Sequence, residues 1–195
     1  MNIKKLKKFI LAKLSNELSD KLTYHGVHHT QDVLYACNQY IRRMKISPKD
    51  AYLLRTAALL HDTGFIKTYE NHEEESVKFA EELLPHWNYS NKDIEIIAGM
   101  IRATKIPQLP QNQVEKIIGD ADLDYLGTNS FYTIGDTLFR ELMAFNKISN
   151  EEQWDKIQVK FLKNHTYHTP FAQKFREPLK QKHLNELIKK WNLVD

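Results

Sequence analysis

The sequence predicts an all-α protein, because helix starts recur along the chain and strand patterns do not. Ser47 precedes Pro48 and Asp50, and this combination of N-cap, first-turn proline and first-turn acid is typical of a helix start. Ser90 and Asp93 repeat the cap and the acid. The chain has only six glycines, and no alternating apolar and polar run is bounded by turn residues. We therefore expect about eight to ten helices and no sheet.

The first predicted helix is amphipathic. Its apolar side chains recur on one face at helical spacing: Ile3, Leu6, Ile10, Leu14 and Leu18. The other face carries the basic start of the chain: Lys4, Lys5, Lys7 and Lys8. Lys13 interrupts the apolar stretch 9–12, so this segment lacks the apolar region of a signal peptide. No aromatic residues are interleaved with the lysines, which favours a solvated helix face over a nucleic-acid tract.

Later segments predict the remaining helices. Residues 51–60 are nearly all apolar and predict a central buried helix. The segment 105–112 contains two prolines and predicts a linker, because proline interrupts a helix. The sequence 149–152 predicts a capping box, and Pro178 begins a last amphipathic helix.

Composition and charge limit the protein class. A chain of 195 residues suits one domain over residues 1–195, and 42% hydrophobic with 27% charged residues is an ordinary globular balance. The formal charge of +3 is mildly basic, so nucleic acid is not an expected partner. Cys37 is the only cysteine, and no apolar run reaches the length of a membrane span, which together predict a cytoplasmic protein that does not enter a membrane. The last helix closes its own core or pairs with a second chain, so a homodimer stays open.

Histidines and aspartates form three groups that carry candidate chemistry. They are His25, His28 and His29; His61 and Asp62; and Asp120, Asp122 and Asp124. The middle group is the most informative, because apolar residues flank it and a buried aspartate needs a partner or a cation. Neighbouring residues on a helix point about 100° apart, so one metal ion binds both side chains only near a helix end. Gly64 is expected to supply that end in a left-handed conformation.

These three groups resemble the H…HD…D signature of the HD-domain metal-dependent phosphohydrolase superfamily, as in its small stand-alone members. The resemblance covers about residues 24–130 and leaves 131–195 as a C-terminal helical extension. It implies an HD-domain helical bundle with additional N- and C-terminal helices. It also implies that the metal ligands are His29, His61, Asp62 and Asp122, whereas the residues themselves leave His25 and His28 as competitors of His29.

The implied ligand set contains two imidazoles and two carboxylates. Such a mixed site suits a divalent transition metal, namely Mn, Fe, Co, Ni or Zn, as one or two ions. The resemblance implies that metal-activated water cleaves a phosphate ester or anhydride of a small molecule. A nucleotide or a related phosphoester is the leading class of this small phosphorylated substrate.

Further candidates surround this set. His72 is a possible second-metal or phosphate ligand, or a solvated residue at a helix start. Asp62 and Glu73 are the candidate catalytic carboxylates, with Glu73 as general base or as part of a solvated first turn. The candidate substrate contacts are Thr104, Lys105 and His165; the alternatives are a helix end for Thr104 and Lys105 and an interhelical turn for His165.

Two other functions compete with phosphate hydrolysis. Some HD relatives are di-iron oxygenases that need six protein ligands, which here requires His72, His86 or a later histidine. A non-catalytic HD module that binds a nucleotide is the other alternative. Such modules are expected to have lost metal ligands, whereas this sequence keeps all four.

Overall fold

The computed structural model describes residues 2–192, and within that range it contains ten α-helices, three 3-10 helices and no strand. The prediction of an all-α protein is therefore confirmed. The 3-10 helices are Thr63–Ile66, Leu84–Trp87 and Asp124–Gly127. The α-helices are α1 (Ile3–Glu17), α2 (Val27–Met44), α3 (Pro48–Leu60), α4 (His72–Leu83), α5 (Asn91–Arg102), α6 (Gln113–Asp122), α7 (Phe131–Ala144), α8 (Glu151–Asn164), α9 (Pro170–Phe175) and α10 (Glu177–Lys190).

Helix α3 lies at the centre of the fold, as its apolar sequence predicts. Pro48 occupies its first turn, and the Ser47 hydroxyl accepts a hydrogen bond from the Asp50 backbone N–H. Helices α1, α2, α5 and α6 all pack against α3. Its side chains are buried on every side, whereas α1 buries one face: Leu6, Ile10 and Leu14. Burial of one such leucine contributes about 1.5–3 kcal/mol, so this contact is a main source of stability.

The C-terminal helices dock on the 3-10 helix that follows α6. Helix α10 packs against residues 124–127 and against α8. The His183 imidazole lies 3.0 Å from the Leu126 carbonyl oxygen, and the Tyr167 hydroxyl donates to the Leu123 carbonyl at 3.1 Å. Gly127 permits the close approach, because a Cβ there would lie 2.3 Å from the Arg176 carbonyl oxygen. The extension after residue 130 is therefore tied to the end of α6.

Two local predictions are corrected by the structure. The N-cap of α8 is Asn150, one residue after the predicted Ser149, and Gln153 reaches back to the Ser149 backbone N–H. Gly64 is not left-handed, since no glycine among the described residues has a positive φ. It belongs to the 3-10 helix 63–66, and a Cβ there would lie 1.9 Å from the His72 carbonyl oxygen. The glycine is required by a close approach rather than by its own backbone conformation.

The predicted linker lies between two helices, as expected. Helix α5 ends at Arg102 and α6 begins at Gln113, so residues 105–112 lie outside both. Across the described part of the chain, no helix is both long enough and apolar enough to pass through a membrane.

The docking at Gly127 is tested by Gly127→Ala. We expect this variant to lose about 1–3 kcal/mol of unfolding free energy, because the new methyl group collides with backbone rather than with a flexible side chain. Denaturant unfolding followed by circular dichroism measures the change. Gly135→Ala in α7 is the matched control, since its Cβ would first meet the Gln158 side chain at 3.3 Å. Equal stability of Gly127→Ala and the wild type would contradict the docking described here.

Candidate metal centre

Four side chains from three helix ends converge on one point. His29 lies in the first turn of α2, His61 and Asp62 follow the last residue of α3, and Asp122 ends α6. The His29 Nε2 atom lies 3.0 Å from Asp122 Oδ1 and 3.4 Å from Asp62 Oδ2. The His61 Nε2 atom lies 3.1 Å from Asp62 Oδ2, 3.4 Å from Asp122 Oδ1 and 3.3 Å from His29 Nε2. The structure thus brings together all four residues that the sequence proposes as ligands.

The end of α3 explains how two consecutive residues face one point. Asp62 has φ −106° and ψ 8°, which departs from the helical conformation of His61 at φ −55° and ψ −37°. The chain then continues as a 3-10 helix, with the Thr63 hydroxyl donating to the Leu60 carbonyl at 2.8 Å. This change of direction cancels the separation of about 100° that a regular helix imposes on neighbouring side chains.

The His61 ring is oriented by the backbone. Its Nδ1 atom lies 3.0 Å from the Ala58 carbonyl oxygen, which accepts a hydrogen bond and holds the proton on that nitrogen. The Nε2 lone pair of the neutral ring then faces the cluster. A second hydrogen bond of this kind is the usual support of a histidine that binds a metal ion.

The donor set fits a divalent cation. One atom from each of His29, His61 and Asp122 lies within 4.8 Å of the others, so these three residues could hold a metal ion. Asp62 Oδ2 is buried, and no residue in the described part of the chain gives it a hydrogen bond, although the His61 and His29 nitrogens lie close to it. A buried carboxylate oxygen of this kind is stabilised by a cation. Imidazole nitrogens with carboxylate oxygens suit the borderline transition metals.

Ionisation in the cluster follows from burial and from the opposite charges. Burial opposes a charge on His61, but the Asp62 and Asp122 carboxylates raise the pKa of its imidazole well above the usual value. Burial also opposes a charge on Asp122, but His29 and His61 lower the pKa of its carboxyl to about 2. The pKa of Asp62 is held well below its usual range by His61, His72 and His29 against the effect of burial. The protein therefore keeps both carboxylates ionised.

His72 approaches the other oxygen of Asp62. Its Nε2 atom lies 3.4 Å from Asp62 Oδ1 and 3.7 Å from Glu73 Oε1. Burial lowers the pKa of His72, but the hydrogen bond to Asp62 raises it above the usual value. His72 begins α4, which lies close to the 3-10 helix 63–66 because Gly64 leaves room and donates its backbone N–H to Ser76 Oγ at 2.7 Å. Asp62 thus presents one oxygen to the four-residue cluster and the other to His72.

His25 and His28 lie outside the cluster. The His25 Nδ1 atom lies 2.5 Å from Glu141 Oε1, and His28 is exposed. Glu141 also accepts the backbone N–H groups of Tyr24 and His25 at 2.8 and 3.0 Å and the Tyr69 hydroxyl at 3.1 Å. Sequence reasoning missed Glu141, because it is one acid in an amphipathic helix and lies 116 positions after His25.

The acids that flank Asp122 support the end of α6. Asp120 accepts the backbone N–H groups of His168 and Thr169 at 2.8 Å each, and burial raises its pKa to about 6 although these bonds oppose the shift. Asp124 accepts the Tyr40 hydroxyl at 3.0 Å and Arg176 Nε at 2.8 Å. Both acids are bound to the surrounding helices and are not part of the cluster.

The three predicted substrate contacts have different placements. Thr104 lines the cavity beside the cluster, but its hydroxyl donates to the Ile101 carbonyl at 2.7 Å. Lys105 is exposed and donates to Asn71 Oδ1 at 2.9 Å, just before His72, without lining this cavity. His165 lies beside Lys180 and lines a neighbouring cavity rather than the cavity beside the cluster.

Comparison with known proteins identifies a family. Residues 26–124 match the family described as HD domain. No curated protein matches the chain. Among solved structures, the chain is similar to the crystal structure of a predicted HD superfamily hydrolase from an uncultured Thermotogales bacterium. The two chains are 21% identical with a TM-score of 0.64, and the match covers 99% of this chain and 98% of that chain. At this identity the likeness concerns the fold.

Metal binding by the cluster is tested with Asp62→Asn. We expect its affinity for Mn²⁺ or Co²⁺ to fall by more than about 100-fold, because the amide removes a charge from the centre of the donor set. Isothermal titration and elemental analysis measure the affinity and the metal content. His28→Ala is the control, since it removes an exposed neighbouring imidazole and should leave both unchanged. Wild-type metal content in Asp62→Asn would contradict the site.

The same titration has an expected pH dependence. The raised pKa of His61 means that a proton competes with the metal for this imidazole, whereas the carboxylates with lowered pKa stay ionised. Metal affinity should therefore fall as pH is lowered through the neutral range. Proton release on binding, measured in buffers of different ionisation enthalpy, gives an independent readout. An affinity that does not change with pH would refute imidazole ligation.

Proposed function

This chain belongs to the HD-domain family, and we propose that it is a metal-dependent phosphohydrolase that acts on a small phosphorylated molecule. Its fold is the HD helical bundle, with α1 before the matched region and α7–α10 after it. The proposal rests on one observation above all. His29, His61, Asp62 and Asp122 form a compact donor set, in which the buried Asp62 Oδ2 accepts no hydrogen bond from the described residues.

A bound divalent ion would supply a Lewis acid that makes water acidic and offsets the charge of a phosphoryl group. The protein contributes orientation and a place for protons. Glu73 is buried beside the cluster and lines the adjoining cavity, so its carboxylate is our candidate to take a proton from the attacking water. Asp62 fixes the position of His72 through its second oxygen. Thr104 shapes the cavity wall, and Lys105 is proposed to hold Asn71 rather than the substrate.

The number of metal ions depends on His72. Asp62 faces the cluster with Oδ2 and His72 with Oδ1, so Asp62 and His72 are the residues that would hold a second ion. With His72 this gives five donors. A di-iron oxygenase needs six, and His86 is exposed on the 3-10 helix 84–87 rather than in the cavity lining. The donor set therefore favours a hydrolase. It also argues against a non-catalytic module, because all four signature residues are present.

A nucleotide or related phosphoester is the substrate class that the family resemblance proposes for the first assays. Protein loaded with Mn²⁺, Co²⁺ or Ni²⁺ should hydrolyse phosphate esters or anhydrides in a broad screen. Asp122→Ala should lower kcat/KM by more than about 100-fold, because it removes a ligand of the cluster. Phosphate release measures the rate, and His28→Ala is the control with unchanged rate. If no phosphate compound is cleaved by metal-loaded protein, the proposal fails.

A further inference from the structure

A cavity of about 260 Å³ opens onto the metal cluster. Asp62, His72 and Asp122 contribute to its wall, so a ligand at the cluster faces this space. Most of the remaining wall is hydrocarbon. Its apolar side chains come from the 3-10 helix after α6 and from α7 and α8, and they include Leu126, Leu138, Leu142, Trp154, Ile157 and Phe161.

The wall carries no fixed positive charge. The part of the chain that the structure describes contributes no lysine or arginine to the lining of this cavity. Two nearby cations are bound elsewhere: Lys105 donates to Asn71, and Arg176 donates to Asp124. The phosphates of a triphosphate or diphosphate that lie beyond the metal cluster would therefore enter an apolar space without a lysine or arginine to compensate their charge. The site therefore suits a ligand with a single phosphoryl group, which would lie at the metal cluster.

Three polar groups in the wall already have partners within the protein. The Thr104 hydroxyl donates to the Ile101 carbonyl, and the Gln158 amide donates to Asp155 Oδ1 at 2.9 Å. The His25 Nδ1 atom is held by Glu141. A nucleobase or sugar buried here would lose hydrogen bonds to water and could not regain them from these three groups, which costs free energy.

Helix α7 leaves apolar side chains partly exposed to the cavity. Its buried residues are Phe131, Gly135 and Glu141, whereas Leu138 and Leu142 are only half-buried although they line the cavity. Ile106 and Ile157 also line it and are 50% and 42% exposed. A hydrocarbon group placed in the cavity would cover these side chains, and the gain grows with the apolar area removed from water.

We propose that the substrate is a phosphomonoester of an apolar alcohol, with its phosphoryl group at the metal cluster and its hydrocarbon group between α7, α8 and the core. This inference rests on the proposed function. In the reaction the oxygen of water bonds to phosphorus and the ester P–O bond breaks. The leaving oxygen takes up a proton, so the products are the free alcohol and inorganic phosphate.

A second cavity meets the cluster from another direction and differs in character. It has a volume of about 370 Å³ and is lined by His29, Asp122, Asp124 and Arg176, among others. Because charged and polar side chains make up much of its lining, it suits water rather than a hydrocarbon group. It also provides a matched control, since Ile134 of α7 lines this second cavity while Leu142 of the same helix lines the first.

Binding of unreactive analogues tests the inference without turnover. Ethyl-, butyl-, hexyl- and octylphosphonate are titrated into the Co²⁺-loaded protein by calorimetry. We expect affinity to rise by about fourfold per methylene until the cavity is filled, with a negative heat-capacity change. Leu142→Gln should flatten this rise, and Ile134→Gln should preserve it. Equal affinity for all four phosphonates in the wild type, or no binding of any, would overturn the inference even if the variants fail to fold.

Turnover separates the inference from the proposed function. The alkyl phosphates of the same series are compared with a nucleoside monophosphate and a nucleoside triphosphate. A kcat/KM that rises with chain length and exceeds both nucleotides supports an apolar phosphomonoester. Hydrolysis that favours a nucleotide and ignores chain length overturns the inference and leaves the phosphohydrolase standing. If nothing is hydrolysed, the proposed function fails. The phosphonate titration then tests only whether the cavity binds hydrocarbon groups.

Discussion

The close approach of two carboxylates, Asp62 and Asp122, at the centre of a helical core is the constraint on which the rest of the structure depends. Removing these charges from water is costly unless imidazoles or a cation compensate them, and His29 and His61 stand within 3.4 Å of both. Helices α3 and α6 each end at this point and continue as 3-10 helices. Each continuation then packs a glycine, at position 64 or 127, against the backbone of the next layer. The two carboxylates therefore lie where the ends of the core helices meet the segments that pack around them.

The sequence was sufficient for the features that depend on local pattern. Apolar flanks around His61 and Asp62 predict a buried pair near a helix end, and α3 ends there. The reason for Gly64 was wrong, because the collision that excludes a side chain involves His72, which only the folded chain brings near. Glu141 was not predictable for the same reason. An acid in an amphipathic helix carries no local sign of the loop that it binds 116 residues earlier. His165 shows the converse, since a histidine-rich turn indicates chemistry but not where the turn lies.

The cavity illustrates a property that no linear pattern contains. Leu138 and Leu142 have the spacing of ordinary core residues, and only the position of α7 relative to α8 and the core leaves them half-buried. Composition and periodicity specify which residues avoid water. They do not specify whether protein or ligand covers them. Residues 26–124 match the family, whereas the helices after residue 130 supply much of the wall that faces the cluster.

Helix α7 contacts both the segment that precedes α2 and the apolar cavity. Glu141 holds the loop that leads into α2 and His29, and Leu142, the next residue, lines the cavity. A ligand that shifts α7 therefore also acts on the segment that positions one side of the metal cluster. Free-energy linkage is reciprocal: any factor by which the metal tightens the ligand is the factor by which the ligand tightens the metal. If a ligand in the apolar cavity moved α7, this one carboxylate would carry the displacement to the segment that precedes His29.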